Sequence, residues 1–139
     1  MSATVLIVDD EPEILDTTKW AFELAGYRAL TAASAEEALP QAESLRPDVL
    51  LIDYKLPQMN GLELLRKARA WIPDAVAIMI TGLTHQSENL EEQSRELGAI
   101  GFLHKPLQLE SVLKMVKEEL RPSTLRQAQG ERGSGRTEG

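Results

Sequence analysis

The 139-residue chain contains no cysteine, which excludes disulfides, thiolate metal sites and cysteine nucleophiles. That absence suits a reducing compartment. Aromatic residues are scarce, two each of Trp, Tyr and Phe, so Leu, Ile, Val and Ala must fill the core. No apolar run approaches the roughly 20 residues that span a bilayer. The opening "MSATVLIVDDEP" has neither the basic start nor the apolar length of a signal peptide. The chain therefore reads as cytoplasmic, with no membrane partner. Basic residues are outnumbered, 15 Lys and Arg against 22 Asp and Glu, for a net charge of −7. Residues 122–139 hold Arg126, Arg132 and Arg136 against Glu131 and Glu138, so the acidity belongs to the body before them. An acidic body repels phosphates, which argues against direct nucleic-acid binding; its plain use is solubility.

What the chain does have is an alternation of short apolar runs with helical patterns. The runs are Val5–Val8, a weak one near Arg28–Thr31, Val49–Ile52, Val76–Ile80 and Ile100–Leu103. Runs so short and so rich in β-branched residues predict strands buried on both faces. Between them, Ile14, Thr18, Phe22 and Ala25 make one helical stripe that Gly26 ends. Ser34 and Glu37 make a capping-box pattern ahead of a second helix. Gly61 precedes "LELLRKARAW", the polar "SENLEEQSREL" ends at Gly98, and "LESVLKMVKEEL" is closed by Pro122. Five β-α units in a row predict a parallel sheet with helices on both faces. Residues 1–121 are expected to form one domain. The tail after it has no apolar period and is expected to be a disordered appendage or linker.

In a parallel sheet the C-terminal strand ends form one rim, where open α/β folds bind ligands. The polar residues after the runs are Asp9 and Asp10, then Asp53, then Thr81 and Gly82, then Lys105. Each has a plain structural reading: Asp10 as a helix cap, Asp9 as a solvated acid, Asp53 and Thr81 as turn residues, Lys105 as surface. As a set they read differently. Three packed carboxylates raise one another's pKa unless a cation joins them. Oxygen donors with a spare lysine point to a hard divalent cation, Mg²⁺ above all. An aspartate can attack phosphorus to give an acyl phosphate once the phosphoryl charge is neutralised. Asp53, on the middle strand, is the best nucleophile; Asp9 and Asp10 would hold the metal. Lys105, the Thr81 hydroxyl and the Gly82 N–H would take phosphoryl oxygens. Glu11 reads only as a first-turn helix acid.

"LIVDDEP", "LLIDYKLPQMNG", "IMITG" and "GFLHKPL", in that order, resemble the receiver domain of two-component response regulators, from about residue 4 to about residue 120. The resemblance implies a flavodoxin-like doubly wound (βα)5 fold with sheet order 2-1-3-4-5. It implies that Asp53 accepts phosphate from a sensor-kinase phosphohistidine or a phosphotransfer protein. Asp10 and Asp53 would bind Mg²⁺ directly, Asp9 mainly through water, and Lys55 through its backbone carbonyl. Thr81 and Lys105 would contact the phosphoryl group, and Phe102 would be the switch aromatic that follows Thr81. The Lys105–Pro106 bond would be cis. A downstream protein partner would read the face of helix 4, strand 5 and helix 5, which also serves some receivers in homodimers. His85 and His104 have no partner set and read as surface residues. The stretch from Thr81 to Lys105, which includes the loop "GLTHQSEN", is about two residues longer than expected for the family, and Leu83 is apolar where a polar residue is usual, which would slow hydrolysis of the acyl phosphate. Two rivals remain: a Mg²⁺-dependent aspartyl-phosphate phosphohydrolase, whose two acids would lie two residues apart on the first strand, and a binding module with this fold that is never phosphorylated.

Overall fold

The computed structural model describes residues 3–82 and 87–120, with Ser87 and Glu88 described in backbone only. The expectations for Leu83, His85 and the tail after residue 121 lie outside the described residues. The elements run β1 (Thr4–Val8), α1 (Pro12–Leu24), β2 (Arg28–Ala32), α2 (Ala35–Leu45), β3 (Val49–Asp53), α3 (Gly61–Ala68), β4 (Val76–Thr81), α4 (Ser87–Glu96), β5 (Ala99–His104) and α5 (Leu109–Glu119). All strand pairs are parallel and the sheet order is β2-β1-β3-β4-β5. This is the flavodoxin-like arrangement expected.

Burial follows sheet position. Every residue of β3 and β4 is buried, whereas the edge strands β2 and β5 each hold partly exposed and exposed positions. This explains why "RALTA" carries so weak an apolar signal: an edge strand needs less of one. Side chains alternate along each strand. Leu6, Val8, Leu50, Ile52, Ala77 and Met79 form one core with Ala35, Ala38 and Ala42 of α2, Leu62, Leu65 and Ala68 of α3, and Leu90 of α4. Val5, Ile7, Val49, Leu51, Ile78 and Ile80 alternate with them and face the other side. There α1, which contacts β1 and β2, buries Ala21 and Phe22. The chain divides into two compact units, Met1–Leu109 and Glu110–Gly139. In the second, α5 has Val112 and Val116 buried one turn apart.

The helix ends follow local chemistry. Gly26, with φ of 97°, ends α1 in a Schellman motif. Its N–H donates to the Glu23 carbonyl (3.0 Å) and that of Tyr27 to the Phe22 carbonyl (3.0 Å). The Phe22 and Tyr27 rings meet edge to face across the turn, at 5.4 Å. The capping box of α2 forms with one difference. The Glu37 N–H donates to Ser34 Oγ, but Glu37 Oε1 accepts from Ala33 N–H, one residue before the cap. α3 is shorter than "LELLRKARAW" implies and stops at Ala68, because the chain turns through residues 69–72.

At that turn Arg69 points inward. It donates to the carbonyls of Leu97 (2.8 Å), Ile72 (3.2 Å), Pro73 (3.1 Å) and Ala75 (2.7 Å). One side chain thus ties the end of α3 to the start of β4 and to the turn after α4. Burial pushes its pKa below the usual arginine value, opposed by the nearby Asp74 charge. α4 is anchored thinly: Leu90 and Ser94 are its buried side chains among those described, and Ser94 Oγ satisfies itself on the Leu90 carbonyl.

Candidate functional site

The strand ends bring the expected polar residues together on one rim. Asp53 and Thr81 are the last residues of β3 and β4, Asp9 and Asp10 directly follow β1, and Lys105 directly follows β5. Asp9 is 2% exposed and Asp53 is 3% exposed, while Asp10 is open to solvent. One carboxylate oxygen from each of the three lies within 4.8 Å of the others.

Each position has a backbone cause. The Asp9 N–H extends the ladder to the Ala32 carbonyl (3.1 Å), and Asp9 Oδ1 accepts the Glu11 N–H (2.9 Å), turning the chain from β1 into α1. Asp10 therefore does not cap the helix. The N-cap is Glu11, whose side chain makes no capping bond, and Pro12 opens the helix with no N–H to satisfy. Asp53 is held from below. The Tyr54 N–H donates to the Ile80 carbonyl and the Gly61 N–H to the Tyr54 carbonyl, both at 2.7 Å. A Cβ on Gly61 would lie 2.5 Å from the Asp53 carbonyl oxygen and 2.9 Å from Ile52 Cγ2. Only glycine lets α3 start this close to the strand end. Gly82 differs, since a Cβ there would meet nothing within 4 Å.

Lys105 closes the site. Its N–H donates to the Thr81 carbonyl (2.9 Å), and the Lys105–Pro106 bond is cis, as the resemblance implies. Its Nζ donates to Asp53 Oδ2 (2.9 Å) and Glu11 Oε1 (2.9 Å), and lies 3.1 Å from Asp9 Oδ2. Burial works against the ammonium, but its bonds to Glu11 and Asp53 and the close Asp9 carboxylate outweigh that and push its pKa above the ordinary lysine value. Asp53 moves up from the usual carboxylate range. Burial is the main cause and the Asp9 charge adds to it, while Lys105 and the Lys55 N–H on Oδ1 (3.3 Å) oppose it. Asp10, Glu11, Asp53, Lys55, Gly82 and Lys105 line an open cleft of about 420 Å³.

The donor set fits a hard divalent cation. Asp9 Oδ2 is buried and has no hydrogen bond among the described residues, since the Lys105 ammonium lies near enough for an ion pair but not aligned for a bond. Three carboxylates, Asp9, Glu11 and Asp53, face the one ammonium directly and Asp10 stands beside them, an imbalance that a cation on oxygen ligands would relieve.

The remaining expected residues lie nearby. Thr81 is fully buried. Phe102 is half-buried, pairs in register with Met79 and packs against the core. Its ring meets that of the exposed His104 edge to face at 5.7 Å, and His104 is the ladder partner of Thr81. The residue that sequence reasoning misplaced is Glu11. It is not a first-turn acid serving the helix but reaches across the cleft to Lys105, 94 positions along the chain. No local signal announces that contact, which exists only because β1 and β5 end on the same rim.

Comparison with known proteins matches residues 5–117 to a family described as the response regulator receiver domain. The chain is similar to the alkaline phosphatase synthesis transcriptional regulatory protein PhoP of Bacillus subtilis, 33% identical over 90% of this chain and 51% of that protein. It is similar also to sporulation initiation phosphotransferase F of the same organism, 32% identical over 86% of this chain and 95% of that protein. The chain spans about half the length of the first of these relatives. Among solved structures, a CheY-like receiver domain protein from Methanospirillum hungatei matches with a TM-score of 0.81 and 38% identity, covering 86% of this chain and 94% of that one. A Burkholderia pseudomallei response regulator solved with a phosphorylated aspartic acid, calcium ion and citrate matches with a TM-score of 0.76 and 27% identity, over 92% and 72%.

Proposed function

Because the chain belongs to the response regulator receiver domain family, we propose that it is a phosphorylation-dependent switch whose phosphoacceptor is Asp53. The observation that carries this reading is the placing of a nearly fully buried Asp53 beside Lys105 and the acid pair in one open cleft. The family is one of phosphoacceptor signalling domains rather than of turnover enzymes. An Asp53 oxygen attacks phosphorus as the phosphohistidine N–P bond breaks, and the imidazole nitrogen leaves with the electron pair. Lys105, the Thr81 hydroxyl and the Gly82 N–H hold the phosphoryl oxygens in line. The carboxylates of Asp9, Asp10 and Asp53 and the Lys55 carbonyl would hold Mg²⁺, with Asp9 acting through water. When bound, that ion supplies charge neutralisation on the phosphoryl oxygens.

The donor is a sensor histidine kinase or phosphotransfer protein, and the setting is cytoplasmic. No helix among the described residues is long and apolar enough to cross a membrane. Phosphorylation adds about one further negative charge at Asp53. Thr81 and Phe102 then shift, changing the surface of α4 and β5 that a partner protein, or a second copy of the chain, reads. Residues 1–121 act as the receiver, with 122–139 as tail or linker.

The test is incubation with acetyl phosphate and Mg²⁺. A receiver takes one phosphoryl group, on Asp53, and Asp53→Asn abolishes it. Multiple turnover of phosphate esters would instead mark a phosphohydrolase, and absence of labelling a binding module.

A further inference from the structure

Three carboxylate oxygens surround the Lys105 ammonium, two of them as hydrogen-bond acceptors and the third as an ion pair. Asp53 Oδ2 and Glu11 Oε1 accept at 2.9 Å, and Asp9 Oδ2 lies at 3.1 Å. An ammonium has three donors, and with three carboxylate oxygens within 3.1 Å of Nζ a phosphoryl oxygen competes with them for its place on Lys105. The three are not equal. The Asp9 and Asp53 side chains are buried, whereas that of Glu11 is 57% exposed. Water can take over a carboxylate that leaves from the exposed position, but not from the buried ones.

Among the described residues the Glu11 side chain makes no hydrogen bond or ion pair except with Lys105. As N-cap of α1 it makes no capping bond, its own N–H is taken by Asp9, and the Pro12 that follows has no N–H to offer. With Lys105 it also stands between two clefts. One is lined by Asp10, Asp53 and Lys55; the other, about 620 Å³, is lined by Glu13, Ile14, Thr17 and Leu107. Glu13 makes no ion pair with Lys105 among the described residues, so it shares the neighbourhood and the charge without the contact.

We propose that Glu11 is a positioning residue for Lys105, its carboxylate occupying in the resting state the ammonium donor that a phosphoryl oxygen takes over on phosphorylation. This rests on the reading of Asp53 as phosphoacceptor. Glu11 keeps the lysine directed into the cleft before the donor arrives, and its displacement is the step that frees Lys105 for phosphate.

The experiment measures Asp53 labelling by acetyl phosphate at fixed Mg²⁺ in wild type, Glu11→Gln, Glu11→Asp and Glu13→Gln. Glu11→Asp keeps the charge and withdraws the carboxylate by one methylene. Both Glu11 variants should reach half-maximal rate at an acetyl phosphate concentration about three- to five-fold lower, the range an exposed ion pair supports. The maximal rate should change far less, and Glu13→Gln should match wild type. Reaction of the Lys105 amine with an acylating reagent should rise in both Glu11 variants without donor present. If Glu11→Asp behaves as wild type while Glu11→Gln does not, the effect is through-space charge and the inference fails. It fails also if both Glu11 variants match wild type. Absence of labelling in wild type overturns the functional reading instead, and with it any exchange by phosphate, while amine reactivity still reports the resting contact.

Discussion

Gly61→Ala tests whether the site is held from beneath by the start of α3. The added Cβ would sit 2.5 Å from the Asp53 carbonyl oxygen, 2.9 Å from Ile52 Cγ2 and 3.0 Å from Tyr54 Cα. Two of these neighbours are backbone of the strand end and the residue after it, and Gly61 itself is buried, so no flexible tip can yield. An ordinary carbon–oxygen contact is longer by the better part of an ångström, so either α3 or the end of β3 must move by about that much. Overpacking of this kind costs about 1–3 kcal/mol. Alanine is the better helix former by up to about 1 kcal/mol, which leaves a net loss of about 1–2 kcal/mol. For a domain of this size that is a fall in Tm of about 4–8 °C. Because the displaced atom belongs to Asp53, labelling should slow by more than the stability loss explains, approaching 100-fold for a displacement near 1 Å. Denaturant melts and acetyl phosphate labelling, both on folded protein, give the two numbers. Gly82→Ala is the control, since its Cβ meets nothing within 4 Å and should leave stability unchanged. A Gly61→Ala protein as stable as wild type and labelled at the wild-type rate would refute the reasoning.

Three further outcomes are expected. Arg69→Met keeps the aliphatic stem but leaves the carbonyls of Leu97, Ile72, Pro73 and Ala75 without their donor; denaturant unfolding should show a loss of about 2–3 kcal/mol, and Arg69→Lys should restore only part of it. Asp53 has a raised pKa, so its folded form holds the proton more tightly than the unfolded chain. Its contribution is therefore full at pH below the unfolded carboxylate value and lost as pH rises through the folded one. Asp53→Asn should raise Tm at pH 7 and lose that advantage as the pH is lowered toward 4, and an advantage growing on acidification would contradict the sign. Mg²⁺ at ten times its Kd should stabilise by about 1.4 kcal/mol, read as a rise in Tm that Asp10→Asn diminishes and that sodium at equal ionic strength does not reproduce.

The amino-acid order alone determined the β-α alternation, because buried parallel strands need continuous apolar runs and helices need a periodic stripe. It also placed Asp9, Asp10, Asp53, Thr81 and Lys105 at strand ends, since a change from apolar to polar residues marks where a buried strand reaches the rim. The weak strand Arg28–Ala32 was legible only faintly, for the physical reason that it lies at the sheet edge. Only the tertiary structure decided which acid turns the chain, Asp9 rather than Asp10, because both are equally near in sequence and burial alone separates them. It alone paired Glu11 with Lys105 and sent Arg69 into a ring of carbonyls. Contacts between side chains distant in sequence depend on where two elements stop relative to each other, to within an ångström. A pattern of residue types carries the direction of a side chain but not its partner.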